Sequence, residues 1–396
     1  MKNGTESVTV ARRELAFALL VCSTVLGIAG TDLVLPAVPT LPEVLGGDLP
    51  RAQLVLAAFV AGSACGLLGF GALGARFDQR RVLCASLLGY ALVSALAGLS
   101  PSLDLLIGLR FLQGAAGSAA AVFAPGMLRA LYGDEAAVGA LGRLGSIEGL
   151  TPALAPIAGT WLVRAWGWSA AFHGIALGAV LLGALIWVWR ERLPALVSRR
   201  SGSGYAALLG DACFMRYALS QAFTLGGLLV FVFGSPTVFV ASLGATLDAF
   251  ILMQITGIAT FIAAASAAGR LALRFGAERL ITGGSAVSLL GATALLAYAL
   301  LGGTDTRVVA LLFVPLNVGL GLRGPPGFHR AVVAARGDDS RGAALVVVAI
   351  LGSTAAGTAL VAPFITHGLV PIALGAFVLS AVSLVLLRWL PALAQE

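Results

Sequence analysis

The sequence predicts an all-α membrane protein of twelve transmembrane helices in two six-helix repeats, with both termini cytoplasmic. Three observations carry that prediction. Hydrophobic residues make up 59% of the 396 positions and charged residues 11%, with a mean hydropathy of +0.98. That is more apolar surface than a water-soluble core could bury. The apolar residues gather into stretches long enough to cross roughly 30 Å of hydrocarbon at 1.5 Å per residue. Finally, a pattern in the first half of the chain recurs in the second.

The first stretch, 15 to 38, follows Arg12 and Arg13 and carries one charge, Asp32, with Pro36 and Pro39 just beyond it. It has neither a short apolar region nor a small-residue cleavage site, so it is a retained helix rather than a signal peptide. The second, 53 to 74, holds Gly62 and Gly66 at a spacing that lets helices approach closely, as do Gly114 and Gly117 in the fourth. The third and fourth stretches are 82 to 101 and 104 to 126, the latter with Arg110 and Gln113. The fifth, 137 to 164, carries Glu148, Pro152 and Pro156, and the sixth is 170 to 190. RERLPALVSRRSGSG (190 to 204) is polar and reads as a linker. The division is therefore an N-terminal bundle at 1–189, a cytoplasmic linker at 190–213 and a C-terminal bundle at 214–396. Six further stretches follow at 214 to 241, 248 to 271, 280 to 302, 307 to 328, 342 to 366 and 369 to 390.

An even number of spans puts both termini on one side. Of 25 basic residues, Arg110 and Arg323 fall within spans, Arg51, Arg164 and Arg307 on the far side, and the rest on the side of the termini. That excess marks the cytoplasmic face. The net charge of +7 is then a consequence of topology, and nucleic-acid binding is not implied. Cys22, Cys65, Cys84 and Cys213 lack metal-like spacing and read as small hydrophobes.

The repeat rests on several matches. GALGARFDQRRVL (71 to 83) and GRLALRFGAERLI (269 to 281) share Gly71/Gly269, Leu73/Leu271, Arg76/Arg274, Phe77/Phe275 and Arg81/Arg279, 198 positions apart, half of 396. The same offset relates Ala158, Gly159 and Thr160 to Ala356, Gly357 and Thr358. Their agreement argues for two halves of common design.

Asp32 and Glu148 are the two acids placed well inside spans. A carboxylate at membrane depth costs roughly 2.5–3.5 kcal/mol even on lenient scales, so it is kept where it does something. Each acid has a proline four residues on, Pro36 and Pro152, which has no N–H to give to the acid's carbonyl. Low dielectric favours the protonated form of a carboxyl group, which suits proton loading and release in a transporter. The competing reading for either acid is a structural ion pair or a group facing a water-filled cavity. Arg110 is the natural counterion, with a snorkelling or structural arginine as the alternative. Arg323 lies just before GPPG (324 to 327), where the tenth helix is expected to break. It reads either as an interfacial snorkelling arginine or as an anion or substrate contact. His173, His329 and His367 lie at span ends and read as interfacial.

Two six-helix repeats with basic two-three and eight-nine loops resemble the major facilitator superfamily. Within it, TDLVLPAVP (31 to 39) is similar to the Asp-plus-Pro-x-x-Pro signature of the bicyclomycin and chloramphenicol resistance (Bcr/CflA) branch of drug:proton antiporters. LRFLQG (109 to 114), TPALAPIAGTWL (151 to 162) with WGWSAAF (166 to 172), and GGLLVFVFGSPTVFV (226 to 240) resemble that branch's fourth helix, fifth helix with its outer loop, and seventh helix. The resemblance implies the major facilitator fold, with Arg110 contacting the first helix beside Asp32 and Gln113 sharing the network. It also implies gating or kink roles for Pro36, Pro39, Gly71, Arg76, Asp78, Arg80, Pro152, Pro156 and Gly159. The two-three loop departs from the family pattern: Ala75 stands at the usual acidic position, with Asp78 and Gln79 at the second glycine and first paired basic residue. Either Asp78 substitutes from three residues away or the gate is weaker. Leu67 replaces a glutamine often found in the second helix.

Gln221, Thr224, Gln254, Asn317 and Arg323, with Gln113, are candidates for polar substrate-cavity lining, and Phe223, Phe231 and Phe239 for aromatic lining or packing. No phosphate-cradling or nucleophile motif is present, so the chain does not read as an enzyme, and an ion gradient is the expected drive. The reading is a secondary active multidrug exporter that exchanges small amphipathic, antibiotic-like compounds for protons by alternating access. Its expected setting is the bacterial inner membrane, as a multi-pass monomer surrounded by lipid, with no cofactor beyond the proton gradient and no metal. The alternatives are a dedicated exporter of one endogenous metabolite and a non-transporting sensor or scaffold.

Overall fold

A computed structural model describes residues 2–74, 76–196, 205–336 and 339–393. Ala75 and residues 197–204 of the expected linker lie outside these. The described residues form helices and turns, with no strand among them. Twelve long helices follow in order: α1 (Lys2–Asp32), α2 (Leu49–Gly74), α3 (Gln79–Gly98), α4 (Leu103–Gly117), α5 (Ala119–Trp166), α6 (Ala170–Val188), α7 (Ala212–Thr237), α8 (Leu247–Phe275), α9 (Ala277–Leu300), α10 (Thr306–Ala334), α11 (Asp339–Val361) and α12 (Leu369–Trp389).

Among the described residues, 11 helical stretches are long and apolar enough to cross a membrane. α4 is too short alone and continues past Ser118 into the first part of α5, making one stretch from Leu103 to Gly133. At Gly133 the backbone leaves the helical region, with φ 76° and ψ 163°, and kinks the rod. The remainder of α5 occupies the expected fifth span, 137 to 164.

The chain divides into two compact units, Met1–Ala37 with Ala58–Ser201 and Val38–Ala57 with Gly202–Glu396. In the first, α1 packs on α5, and α3 packs on α4 and α6. In the second, α7 packs on α11, and α9 packs on α10 and α12. Each pairing in one unit is the other's shifted by six helices, so the half-length repeat is a repeat of packing as well as of sequence. The first unit's core joins Leu20, Leu87, Phe123, Met127 and Ile186, and the second's joins Phe214, Tyr217, Ile281, Val346 and Leu387. Between α2 and α4 the glycines expected to allow close contact do so: a Cβ on Gly62 would meet the Phe111 backbone, and one on Gly114 the Phe59 carbonyl.

Proline acts differently at different places. α1 ends at Asp32, and the chain tightens into a 3-10 helix over Leu35–Thr40 that contains both Pro36 and Pro39. The break expected at GPPG does not occur. α10 runs through Pro325 and Pro326 to Ala334, as membrane helices can, since other groups can satisfy the carbonyls that proline leaves without a donor.

Candidate functional site

Asp32 is the last residue of α1, where the backbone changes from four-residue to three-residue hydrogen bonding. Leu33 still donates to Ala29 in the helical manner (2.9 Å), but Val34 donates to Thr31 (3.1 Å). The Gly30 carbonyl is thereby released from its helical donor, and Arg110 on α4 takes it with Nη1 at 2.9 Å. The same nitrogen donates to Gln113 Oε1 at 2.7 Å, Gln113 Nε2 donates to Ser94 Oγ at 2.7 Å, and Ser94 donates to the Tyr90 carbonyl at 2.6 Å. Tyr90 in turn donates its hydroxyl to the Leu26 carbonyl at 3.2 Å, so the network leaves α1, crosses α4 and α3, and returns to α1.

Asp32 is 8% exposed, Arg110 and Gln113 fully buried. The guanidinium lies 4.1 Å over the Phe59 ring and 5.8 Å from that of Phe172, a low-dielectric setting in which cation–π contact adds to the hydrogen bonds. Asp32 and Arg110 are within electrostatic reach of each other. The snorkelling alternative for Arg110 is therefore set aside: its head is enclosed by three helices. α5 completes the surroundings, since a Cβ on Gly159 would collide with the Leu33 carbonyl next to the acid. Pro156 is buried one turn earlier, accepting from Thr160 at 2.9 Å, and Pro152 is half-buried.

Glu148, also on α5, is half-buried and lies near Thr24 of α1. Thr24 and Asp32 are eight residues apart on one helix, about 12 Å along its axis. The two acids line the same helix without forming a pair.

The two-three loop has a local job. Asp78 caps α3 by accepting from the Arg80 backbone at 3.0 Å and pairs with the Arg80 guanidinium at 2.8 Å. The hydrogen bonds from Arg80 hold its carboxyl below the usual carboxylate range. Arg80 also donates to the Arg190 carbonyl (3.3 Å), tying the loop to the end of the sixth span. Both oxygens of Asp78 are thus engaged by its own helix end, while Arg76 is exposed and Gly71 half-buried.

Arg323 contradicts the snorkelling reading, being fully buried in α10. Its Nη1 donates to the Ser220 carbonyl, Thr224 Oγ1 and Ser383 Oγ, and its Nη2 to Ser220 Oγ at 3.1 Å. Thr224 is part of this cage, bonded to Ser383 at 2.8 Å. Gln221 is buried beside it, and Gln254 and Asn317 are buried on α8 and α10, with Asn317 donating to the Phe313 carbonyl of its own helix at 3.0 Å. Phe231 is stacked on Phe313 (centroids 5.4 Å apart) and Phe239 is fully buried, so both are packing residues. His173, His329 and His367 are exposed.

Sequence reasoning missed Phe59, Tyr90 and Ser94 around Arg110, and Ser220 and Ser383 around Arg323. One signal was present: Arg216, Ser220 and Thr224 recur every four residues on α7, a polar stripe on a buried helix.

Comparison with known proteins places this architecture. The family model described as Major Facilitator Superfamily matches residues 20–360. A chloramphenicol resistance protein of Pseudomonas aeruginosa is 32% identical over 292 residues, 72% of this chain and 69% of that protein. A bicyclomycin resistance protein homolog of Haemophilus influenzae is 26% identical over 279 residues, 69% of this chain and 70% of its own. The crystal structure of the POT family transporter PepTSo superposes with a TM-score of 0.69 at 12% identity, covering 94% of this chain and 96% of that one, a likeness of fold. The chain belongs to the Major Facilitator Superfamily and is a multi-pass membrane transporter rather than an enzyme.

Proposed function

We propose that this transporter exports small amphipathic, antibiotic-like compounds across a bacterial cytoplasmic membrane in exchange for protons, with Asp32 as the coupling acid and Arg110 as its partner. The observation that carries the proposal is the burial of Asp32 at the point where α1 opens, beside an arginine bonded to the freed Gly30 carbonyl. The relatives named for chloramphenicol and bicyclomycin resistance support the class of compound.

In this reading, ionised Asp32 attracts the buried Arg110 guanidinium. Protonation removes that attraction, while the contacts of the arginine with Gly30, Gln113 and the rings remain. A change in the balance of those contacts biases one conformational state over another, which is what coupling requires. The proton gradient is the drive, no cofactor enters, and the monomer is the transporting unit.

The test is efflux from proteoliposomes carrying the full chain, across a panel of antibiotics and dyes, with and without an imposed pH gradient. Gradient-dependent movement of several chemically unrelated compounds is expected. Movement of none under any gradient would contradict the proposal.

A further inference from the structure

We infer that Arg323 and Gln221 form a carboxylate-binding site inside the C-terminal unit. A guanidinium has five N–H donors arranged as planar forks. Ser220 accepts from both terminal nitrogens of Arg323, through its carbonyl and its hydroxyl, so the fork between Nη1 and Nη2 is occupied. Thr224 and Ser383 take up the rest of Nη1.

The remaining fork, Nε with Nη2, is turned toward Gly327: a Cβ there would lie 3.2 Å from Nη2 and 3.8 Å from Nε. Nε is buried and has no hydrogen-bond partner among the described residues. No acidic side chain among them pairs with Arg323, whose partners are three hydroxyls and a carbonyl. A buried cation compensated only by neutral dipoles is costly, and a parallel Nε/Nη2 fork matches the two oxygens of a carboxylate.

Gln221 lies near that fork. Its Oε1 would be 3.0 Å from the same Gly327 Cβ, is buried, and likewise has no partner among the described residues, and the residue is 6% exposed. An unmet acceptor and an unmet donor on either side of one glycine leave the side chain in place without a bond to hold it. Turning it aside clears space near the fork, and rotating its amide presents Nε2 to the ligand as a further donor. The carboxylate is either a free small anion or the anionic end of an exported compound. Only the second source rests on the transport proposal.

Benzoate and its uncharged counterpart benzamide separate charge from shape. Titrated into the purified full chain by calorimetry, benzoate should bind at least about tenfold more tightly than benzamide, the difference expected of a charge-assisted hydrogen-bond pair. Arg323→Gln should remove that preference. Gln221→Glu, nearly isosteric, should occupy the fork from within, abolish benzoate binding and raise the melting temperature. Equal binding of the two probes by the wild type, or undiminished benzoate binding by either variant, would overturn the site. In proteoliposomes, benzoate efflux lost in Arg323→Gln identifies the anionic end of a transported compound, and binding without benzoate efflux identifies a free anion. A wild type that binds benzoate but moves no compound would refute the export proposal and leave the site standing.

Discussion

Arg110 takes the carbonyl of Gly30 at 2.9 Å, an oxygen that Val34 gives up by bonding Thr31 instead. The first helix therefore has to loosen at its outer end for the fourth to grip it. Pro36, which has no N–H and sits in the 3-10 segment just past Asp32, lies where that loosening occurs. The acid, the proline and the arginine act as one local structure.

Arg110→Lys should not restore this arrangement. A lysine side chain ends one atom short of Nη1, the nitrogen that serves both Gly30 and Gln113, and its ammonium lacks the flat face that lies over the Phe59 ring. At least one buried acceptor is left unmet, at a cost of about 1–3 kcal/mol. A lowered unfolding temperature and gradient-driven efflux reduced about tenfold or more are expected. Wild-type values of both would mean that charge alone matters at this position.

Gly159→Ala should separate α1 from α5 beside Asp32, because its Cβ meets the rigid Leu33 carbonyl rather than a side chain that can turn away. Overpacking of this kind costs about 1–3 kcal/mol. Gly174→Ala on α6, whose Cβ meets nothing within 4 Å, should be neutral or slightly stabilising. Thermal unfolding of the two variants side by side distinguishes contact from helix propensity, and equal effects would remove the contact explanation.

Much of the fold was legible because hydropathy and the half-length repeat are properties of consecutive residues. Asp32, Arg110 and Gln113 were legible for a related reason: a polar group in an apolar stretch is conspicuous wherever it packs. What surrounds them was not. Ser94 and Tyr90 meet Arg110's network only after α3 and α4 pack, and Ser383 reaches Ser220 across 163 positions. The snorkelling reading of Arg323 and the break expected at GPPG share one cause. Both treated α10 by itself, whereas its arginine faces α7 and α12, whose Ser220, Thr224 and Ser383 supply hydroxyls.

Asp78 governs a pH dependence. Its carboxyl titrates lower in the folded chain than the usual value near about 3.9. Its contribution is therefore full above that value and is lost as the pH falls through the lower, folded-state one. Asp78→Asn keeps a capping oxygen and loses the pair with Arg80, so stability at pH 7 should fall by about 1 kcal/mol or less. The two unfolding temperatures should converge on acidification. A constant difference across the range would place the loss elsewhere.

Glu148 should separate from Asp32 in function as it does in space. Glu148→Gln keeps the shape of the side chain but cannot balance a positive charge. Efflux of cationic compounds should drop about tenfold while gradient-driven efflux of neutral ones persists. An unaltered substrate profile with a lowered melting temperature would make Glu148 a structural partner only.

The coupling role of Asp32 is the centre of the account, and proton flux in proteoliposomes containing Asp32→Asn tests it most directly. The amide preserves the size of the side chain and cannot titrate. The variant should fold with a near-normal melting temperature, and an imposed pH gradient should drive neither substrate efflux nor substrate-dependent proton movement. Substrate-dependent proton flux at the wild-type ratio would contradict the account.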